Sequence, residues 1–399
     1  MKARTAARDL AQLSTDDSVY VAGRIVESAA NSCVVQDDTG CIAVDTTEPP
    51  PVGAFVRVVA LLRAGRLCDV ELLTIDTPGN ATFARADSDW TFLTGTRLQN
   101  LRTRHAVSRA ARDLLDREGL LEVETPAIVP CPGLDVHLDA IEVLGMRAPR
   151  WLHTSPELQM KRLLASGLPG IYQIGKAFRR GERGRLHEPE FSMLEWYRTF
   201  SDAEQMMRDT EQLVAHVAQT VLGTTQLPGL DAPVDVTPPW PRITVEQAFA
   251  RYASLALETV VADEERFNRI LVEQIEPELG RGRPAFLTQY PAPMASLARL
   301  SPDPRFSERF EGYLDGVELC NGFSELVDPI EQRRRFEHDQ ERREKLGRSV
   351  YPIDERFMSA LSDGIPPSGG NALGFDRLIM LMTGAKHIED VVGLPYSRM

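Results

Sequence analysis

The apolar periodicity of this chain changes near residue 85, and the change divides it into two folding units. Before it, short β-branched runs at 19–26, 32–36, 41–44, 55–60 and 67–73 alternate with turn residues at 38–40 and 49–53. Five strands in so short a span predict an OB-like β-barrel over residues 1–85, with an N-terminal extension. A linker is expected over 86–98, because Pro, Gly, Asn and Asp interrupt every periodic pattern from 76 to 96. The remainder, 99–399, reads as one large α+β domain. Its first helix shows a stripe of Ala106, Val107, Ala110, Ala111, Leu114 and Leu115 that Gly119 can end. Leu121 and Val123 then alternate with Glu122 and Glu124 up to Pro126, the pattern of an extended strand.

Composition narrows the function classes. With 43% hydrophobic and 26% charged residues, the 399-residue chain can bury a large core. Its polar N-terminus lacks a secretory h-region and no window reaches the length of a membrane span, so no membrane role and a cytoplasmic location are expected. Five cysteines without a C-x-x-C pair predict reduced, mostly buried thiols. A net charge of -13 disfavours broad nucleic-acid binding. The barrel segment itself carries ten acidic residues and four arginines between 16 and 76, with only Tyr20 and Phe55 able to stack a base. A structural or protein-contact role is therefore preferred for it. The mixed-sign stretch 332–348 reads as a solvated helix face in preference to a substrate-contacting one.

Three distant segments read together as an ATP site. Phe178 and Arg179 precede Glu190 and Phe191; Glu311 and Glu318 follow; residues 370–377 (GNALGFDR) close the set with Arg377. Activating a carboxylate with ATP needs no general base, because the nucleophile is already ionised. The task is to bring two anions together and absorb charge at the α-phosphate, which calls for arginines and a metal ion.

The stretch 178–197 resembles motif 2 of the class II aminoacyl-tRNA synthetases of the lysine type, 117–126 their motif 1 and 370–377 their motif 3. Residues 154–163 (TSPELQMKRL) and 318–326 (ELCNGFSEL) fit in the same order, so the resemblance covers 98–399. It implies an antiparallel sheet flanked by helices, and a homodimer formed through motif 1. It also implies that Arg179 contacts the α-phosphate and Arg377 the γ-phosphate as the catalytic pair, and that Phe191 lies against adenine. Glu182 and His187 are implied to orient ATP, and Glu311 and Glu318 to hold Mg²⁺ on its phosphates.

The same resemblance implies a pocket for a lysine-like diamino acid. Glu325, Glu195 and the Tyr197 hydroxyl would hold the side-chain amine, Glu157 the backbone amino group, while Asn321 and Phe323 line the walls. Ser155 and Ala372 depart from lysyl-tRNA synthetases, which have alanine and glycine there. With 160–163, 194–198 and 291–298 they resemble the elongation factor P lysine ligases. Those enzymes attach a lysyl group, preferentially (R)-β-lysine, to a lysine side chain of that translation factor. Elongation factor P is thus the expected partner, tRNA the alternative acceptor, and a non-catalytic scaffold the third reading. The departures are the N-terminal barrel, Glu188 where the family has asparagine, and a motif 2 glutamate shifted by Arg180, Gly181 and Glu182.

Overall fold

The computed structural model describes residues 5–76 and 89–399, leaving out the side chains of Trp90 and Thr91. The segment 77–88, most of the expected linker, lies outside the described residues, as do the first four residues of the N-terminal extension. Two compact units result, Met1–Gln99 and Asn100–Met399.

In the first unit β1 (Ser18–Ala29), β2 (Ser32–Gln36), β3 (Cys41–Asp45), β4 (Phe55–Arg63) and β5 (Arg66–Asp76) close a barrel in the order β1-β2-β3-β5-β4. Strict alternation along β4 sends Val56, Val58, Ala60 and Leu62 inward, and Val19, Val21, Ile25, Val35, Val44 and Leu67 complete the core. Where β1 bends to serve both β2 and β4, a Cβ on Gly23 would lie 2.2 Å from the Gln36 carbonyl oxygen, so only glycine permits the approach. Phe55, one of the two rings available to a base, instead carries the Arg24 guanidinium 4.2 Å from its centroid.

The described end of the expected linker is helical. A short turn of helix at Asp89–Leu93 and then α1 (Thr96–Arg117) occupy ground expected to be linker, because α1 opens on polar residues without an apolar period. Val107, Ala110, Ala111 and Leu115 are its buried stripe, and Gly119 follows at φ 77°. The sheet has eight strands: β6 (Leu121–Glu122), β7 (Gly170–Phe178), β8 (Glu190–Thr199), β9 (Arg242–Thr244), β10 (Ala285–Pro291), β11 (Phe306–Leu314), β12 (Val317–Ser324) and β13 (Ser368–Gly374). Their order is β9-β10-β11-β12-β13-β8-β7-β6, antiparallel except for the two outer pairs, β9 with β10 and β6 with β7, which are parallel. The strand read at 121–125 stays short because Thr125 N donates to the Gln173 side chain (2.9 Å) rather than to a neighbouring backbone.

One sheet face buries the core. Leu194, Trp196, Phe286, Phe310, Leu319 and Leu373 pack there against α3 (Ala203–Leu222) and α6 (Phe375–Thr383), opposite the face that carries the candidate site side chains. The five thiols are free; Cys33, Cys131 and Cys320 are buried, Cys41 exposed and Cys68 in between. No helix among the described residues is long and apolar enough to cross a membrane.

Candidate active site

Strand alternation builds the site. On β8 the even positions Ser192, Leu194 and Trp196 face the core side, leaving Phe191, Met193, Glu195 and Tyr197 on the other. Beside them β13 pairs Glu195 with Ala372 and Tyr197 with Gly370. A side chain at Gly370 would place Cβ 2.2 Å from Glu325 Oε1 and 2.4 Å from Tyr197 Cε1, so the missing Cβ is what lets these two groups occupy the pocket.

A bulge supplies the remaining acids. Between the pairs Gly312 with Cys320 and Tyr313 with Glu318, β12 contains one extra residue, Leu319. The extra residue shifts the parity, so Glu318 and Asn321, three apart, both line the same cleft as Glu311.

The side chains expected to bind ATP (Arg179, Glu182, His187, Phe191, Glu311, Glu318 and Arg377) line one cleft of about 310 Å³. Those expected to bind the amino acid (Ser155, Glu157, Glu195, Tyr197, Asn321, Phe323, Glu325 and Ala372) line a second cavity of about 180 Å³. Arg179, Met193, Asn321 and Ala372 belong to both walls, so the two spaces meet there.

Within the cleft the Arg179 guanidinium lies 4.9 Å from the Phe191 ring centroid and 3.8 Å from Glu182, and its buried Nε has no hydrogen-bond partner. Arg377 donates to the Glu318 carbonyl (2.6 Å), pairs with the Glu318 carboxylate (3.3 Å) and approaches His187 Nε2 at 2.8 Å. Burial and then the Arg377 charge hold His187 below its ordinary range, so the imidazole is neutral and accepts from Arg377. Asp376, the neighbouring motif 3 residue, accepts from Ser192 N (2.7 Å) and pairs with Arg104 of α1, tying the motif 2 and motif 3 segments to that helix. Glu188 lines the cleft but directs Oε2 to the backbone N of Tyr396 (3.0 Å), so this acid is held by the C-terminal turn.

Tyr290 and Tyr313 each donate to Glu311 Oε2 at 2.5 Å, and Arg309 reaches Oε1 at 2.7 Å. Burial raises Glu311 above the ordinary carboxylate range against the Arg309 charge, while Glu318 raises it further. Glu276, a third acid near this pair, is pushed to about 7 by burial and then by Glu318 and Glu311. Among the described residues no group of three or more His, Cys, Asp or Glu side chains is arranged to cage a metal. Two carboxylates in a cleft beside arginines do fit Mg²⁺, which uses one or two protein carboxylates and completes its shell with water and phosphate oxygens.

In the amino-acid cavity Ser155 Oγ and the Tyr197 hydroxyl donate to the two oxygens of Glu195, at 2.8 and 2.5 Å. Burial, reinforced by the Glu157 charge, still lifts Glu195 to about 7. Glu325 is 2% exposed and is pushed to about 8 by burial, with Lys161 opposing the rise.

Several contributors escaped the sequence reading. Lys161 Nζ is 2.5 Å from Glu157 Oε1 and also contacts Glu325. The stretch 332–348 is not simply a solvated face. In α4 (Pro329–Lys345), Gln332, Phe336 and Arg343 are buried, and Gln332, Arg335, Phe336 and Asp339 line the amino-acid cavity. Their helical spacing carries a single apolar residue, so a hydrophobic stripe could not reveal it. Arg343 is fully buried and donates to the carbonyls of Asp135 (2.6 Å) and Leu138 (2.7 Å) and to Asp139 Oδ1 (2.7 Å). It thereby pins the 135–139 loop, whose Asp135 and Leu138 line both spaces.

A sheet of this order, with arginine, aromatic and paired acids on its open face, defines a class II synthetase-type catalytic domain. Residues 90–398 match the family described as tRNA synthetases class II (D, K and N), and the chain belongs to that family. It is 41% identical over 320 residues to the elongation factor P–(R)-beta-lysine ligase of Proteus mirabilis, covering 73% of this chain and 93% of that protein. The ligase of the same name from Vibrio cholerae is 39% identical, over 78% of this chain and 99% of that protein. The lysine–tRNA ligase of Moorella thermoacetica is 37% identical over 74% of this chain, but the match spans only 65% of that longer protein.

Proposed function

We propose that the protein activates lysine or (R)-β-lysine with ATP as the adenylate and transfers the acyl group to a lysine side chain of elongation factor P. The observation that carries this reading is the junction of the two cavities at Arg179, beside a pocket whose buried Glu325 keeps Oε1 without a hydrogen-bond donor. A substrate alkylammonium supplies that donor. The near full-length match to the ligases of Proteus and Vibrio favours a protein acceptor, since the lysine–tRNA ligase is matched over a smaller share of its length.

In the first step the amino-acid carboxylate attacks the α-phosphorus and pyrophosphate leaves. Arg179, within reach of both substrates, orients the carboxylate and takes up charge at the α-phosphate; Arg377 holds the terminal phosphate. Phe191 offers a face to adenine, while Glu182 and the neutral His187 border the phosphate path. Glu311 and Glu318 would hold Mg²⁺, which neutralises phosphate charge when bound. The Tyr290 and Tyr313 hydroxyls and Arg309 keep Glu311 oriented. At the other end Glu325, Glu195 and Tyr197 take the distal ammonium, Glu157 takes the amino group nearer the carboxylate, and Asn321 and Phe323 complete the walls. In the second step the acceptor amine attacks the adenylate carbonyl, AMP leaves, and the adenylate phosphate is positioned to take the amine's proton.

A cytoplasmic site of action and pairing of two copies through the motif 1 segment belong to the same proposal; Leu121 exposes apolar surface within that segment and Ile128 just after it. The test offers ATP, Mg²⁺ and labelled α- or β-lysine with either elongation factor P or tRNA. Label on the factor supports the proposal; label on tRNA alone assigns a synthetase; absence of pyrophosphate exchange assigns a scaffold.

A further inference from the structure

Lys161 has no part in the reaction as proposed, yet its ammonium lies at the centre of the pocket's acids. It stands one helical turn after Glu157 on α2 (Glu157–Leu164), 2.5 Å from Glu157 Oε1, in contact with Glu325 Oε2, and 5.3 Å from the centroid of the Phe323 ring. An i,i+4 pair of this kind is ordinarily a solvated ornament of a helix worth little. Here the Lys161 side chain is 2% exposed, and two of its three contacts come from a different part of the chain, on and just after β12.

The contact with Glu325 engages Oε2. Glu325 Oε1 remains buried without a hydrogen-bond donor, so the carboxylate keeps acceptor capacity toward the cavity it lines. Desolvation pulls Lys161 down, but the Glu157 and Glu325 charges more than offset it and hold the amine at about 12, fully charged. Asp135 and Asp339 also line the cavity but stand outside the principal charges that act on Lys161, Glu195 and Glu325. What remains is Glu157, Glu195 and Glu325 facing one resident cation.

We propose that Lys161 is a positioning residue that sets the demand of the pocket at two cations: it neutralises one of its three buried carboxylates and leaves two for the two ammonium groups of a diamino acid. The inference rests on the lysine-ligase reading of this site. Without the resident cation, three acids would crowd a buried volume, and the surplus one would take a proton instead of receiving substrate. The substrate's own carboxylate is matched elsewhere, by Arg179 at the junction with the nucleotide cleft.

The test compares full-length wild type with Lys161→Met and Lys161→Arg by amino-acid-dependent pyrophosphate exchange. Met should raise the KM for lysine by about tenfold or more, with the KM for ATP within about twofold and kcat within about fivefold; Arg should recover most of the loss. An unchanged or lower lysine KM in Lys161→Met, a parallel rise in the ATP KM, or an Arg variant no better than Met would overturn the role. Wild-type protein gives a second readout that does not depend on a variant folding. Cadaverine should compete with lysine about tenfold better than pentylamine of equal length, and equal inhibition would refute the two-cation demand. Wild-type protein that exchanges pyrophosphate with no lysine isomer would remove the parent reading and this inference with it, whereas normal exchange with an insensitive Lys161→Met removes only the latter.

Discussion

The Tyr197 hydroxyl donates to Glu195 Oε1 at 2.5 Å, from two residues further along the same strand face, while Ser155 Oγ holds the other oxygen at 2.8 Å. One strand neighbour and one loop residue thus fix a buried carboxylate in one orientation.

Removing the phenol hydroxyl leaves a Glu195 oxygen buried without its donor, a loss of roughly 1–3 kcal/mol. Tyr197→Phe should therefore raise the KM for lysine by about tenfold and leave the KM for ATP unaltered. Pyrophosphate exchange measures both, and an unaltered lysine KM would separate Tyr197 from substrate.

Burial raises Glu195 to about 7 and Glu325 to about 8 in the substrate-free protein. Both groups hold protons in the folded state at pH values where the unfolded chain has lost them. Their contribution to stability is therefore complete below the ordinary glutamate pKa of about 4.3 and is lost as pH rises through 7 to 8. Lysine binding requires the ionised forms, so each proton released should tighten binding by up to about tenfold per pH unit across that window. The rise in Tm on adding lysine should grow between about pH 6 and 8.5. A Tm shift independent of pH would contradict the assignment of these carboxylates.

Gly370→Ala tests the space rather than the charge. The new Cβ would stand 2.2 Å from Glu325 Oε1 and 2.4 Å from the Tyr197 ring, and both belong to the binding wall. Lysine-dependent exchange should fall by about a hundredfold or more, because two buried groups must move together. Activity near wild type would show that the pocket tolerates the methyl.

Arg343 acts at a distance. Arg343→Met leaves buried carbonyls of the 135–139 loop without donors, at about 2–4 kcal/mol. Tm should fall and both KM values should rise together, since Asp135 and Leu138 line both spaces. A change confined to one substrate would argue against loop anchoring.

Ala372 is paired in register with Glu195 on one side and Asn321 on the other, where the two cavities join. Ala372→Gly removes a methyl from the end of the pocket at which α- and β-lysine differ. The ratio of kcat/KM for α- over β-lysine should rise, by an amount of the order expected for one methyl group, about 10-fold. Equal ratios in the two proteins would dissociate this position from isomer choice.

The strands of the barrel were legible because alternating β-branched runs between turn residues admit few other folds, and β1 to β5 form in the places that pattern marks. The motif segments were legible as chemistry for a related reason. Arginines, an aromatic and acids recur in an order that matches one family, and the structure gathers the named side chains onto two adjoining walls. Neither α4 nor Lys161 was readable in this way. A charged helix face buried against a loop looks the same in one dimension as a charged face in water, and Gln332, Asp339 and Arg343 carry no apolar signature.

From the sequence alone came the candidate site residues, the division into a barrel and a larger domain, and the period-2 alternation that sends Glu195 and Tyr197 away from Leu194 and Trp196. Tertiary structure decided what those groups face. The extra residue at Leu319 brings Glu318 and Asn321 to the cleft of Glu311, and strand pairing sets Gly370 against Tyr197. Chain folding delivers Lys161 to a carboxylate 164 positions away, at Glu325. The physical reason is that charge burial, strand register and close approach depend on distances between segments remote in the chain, and linear spacing contains no such distance.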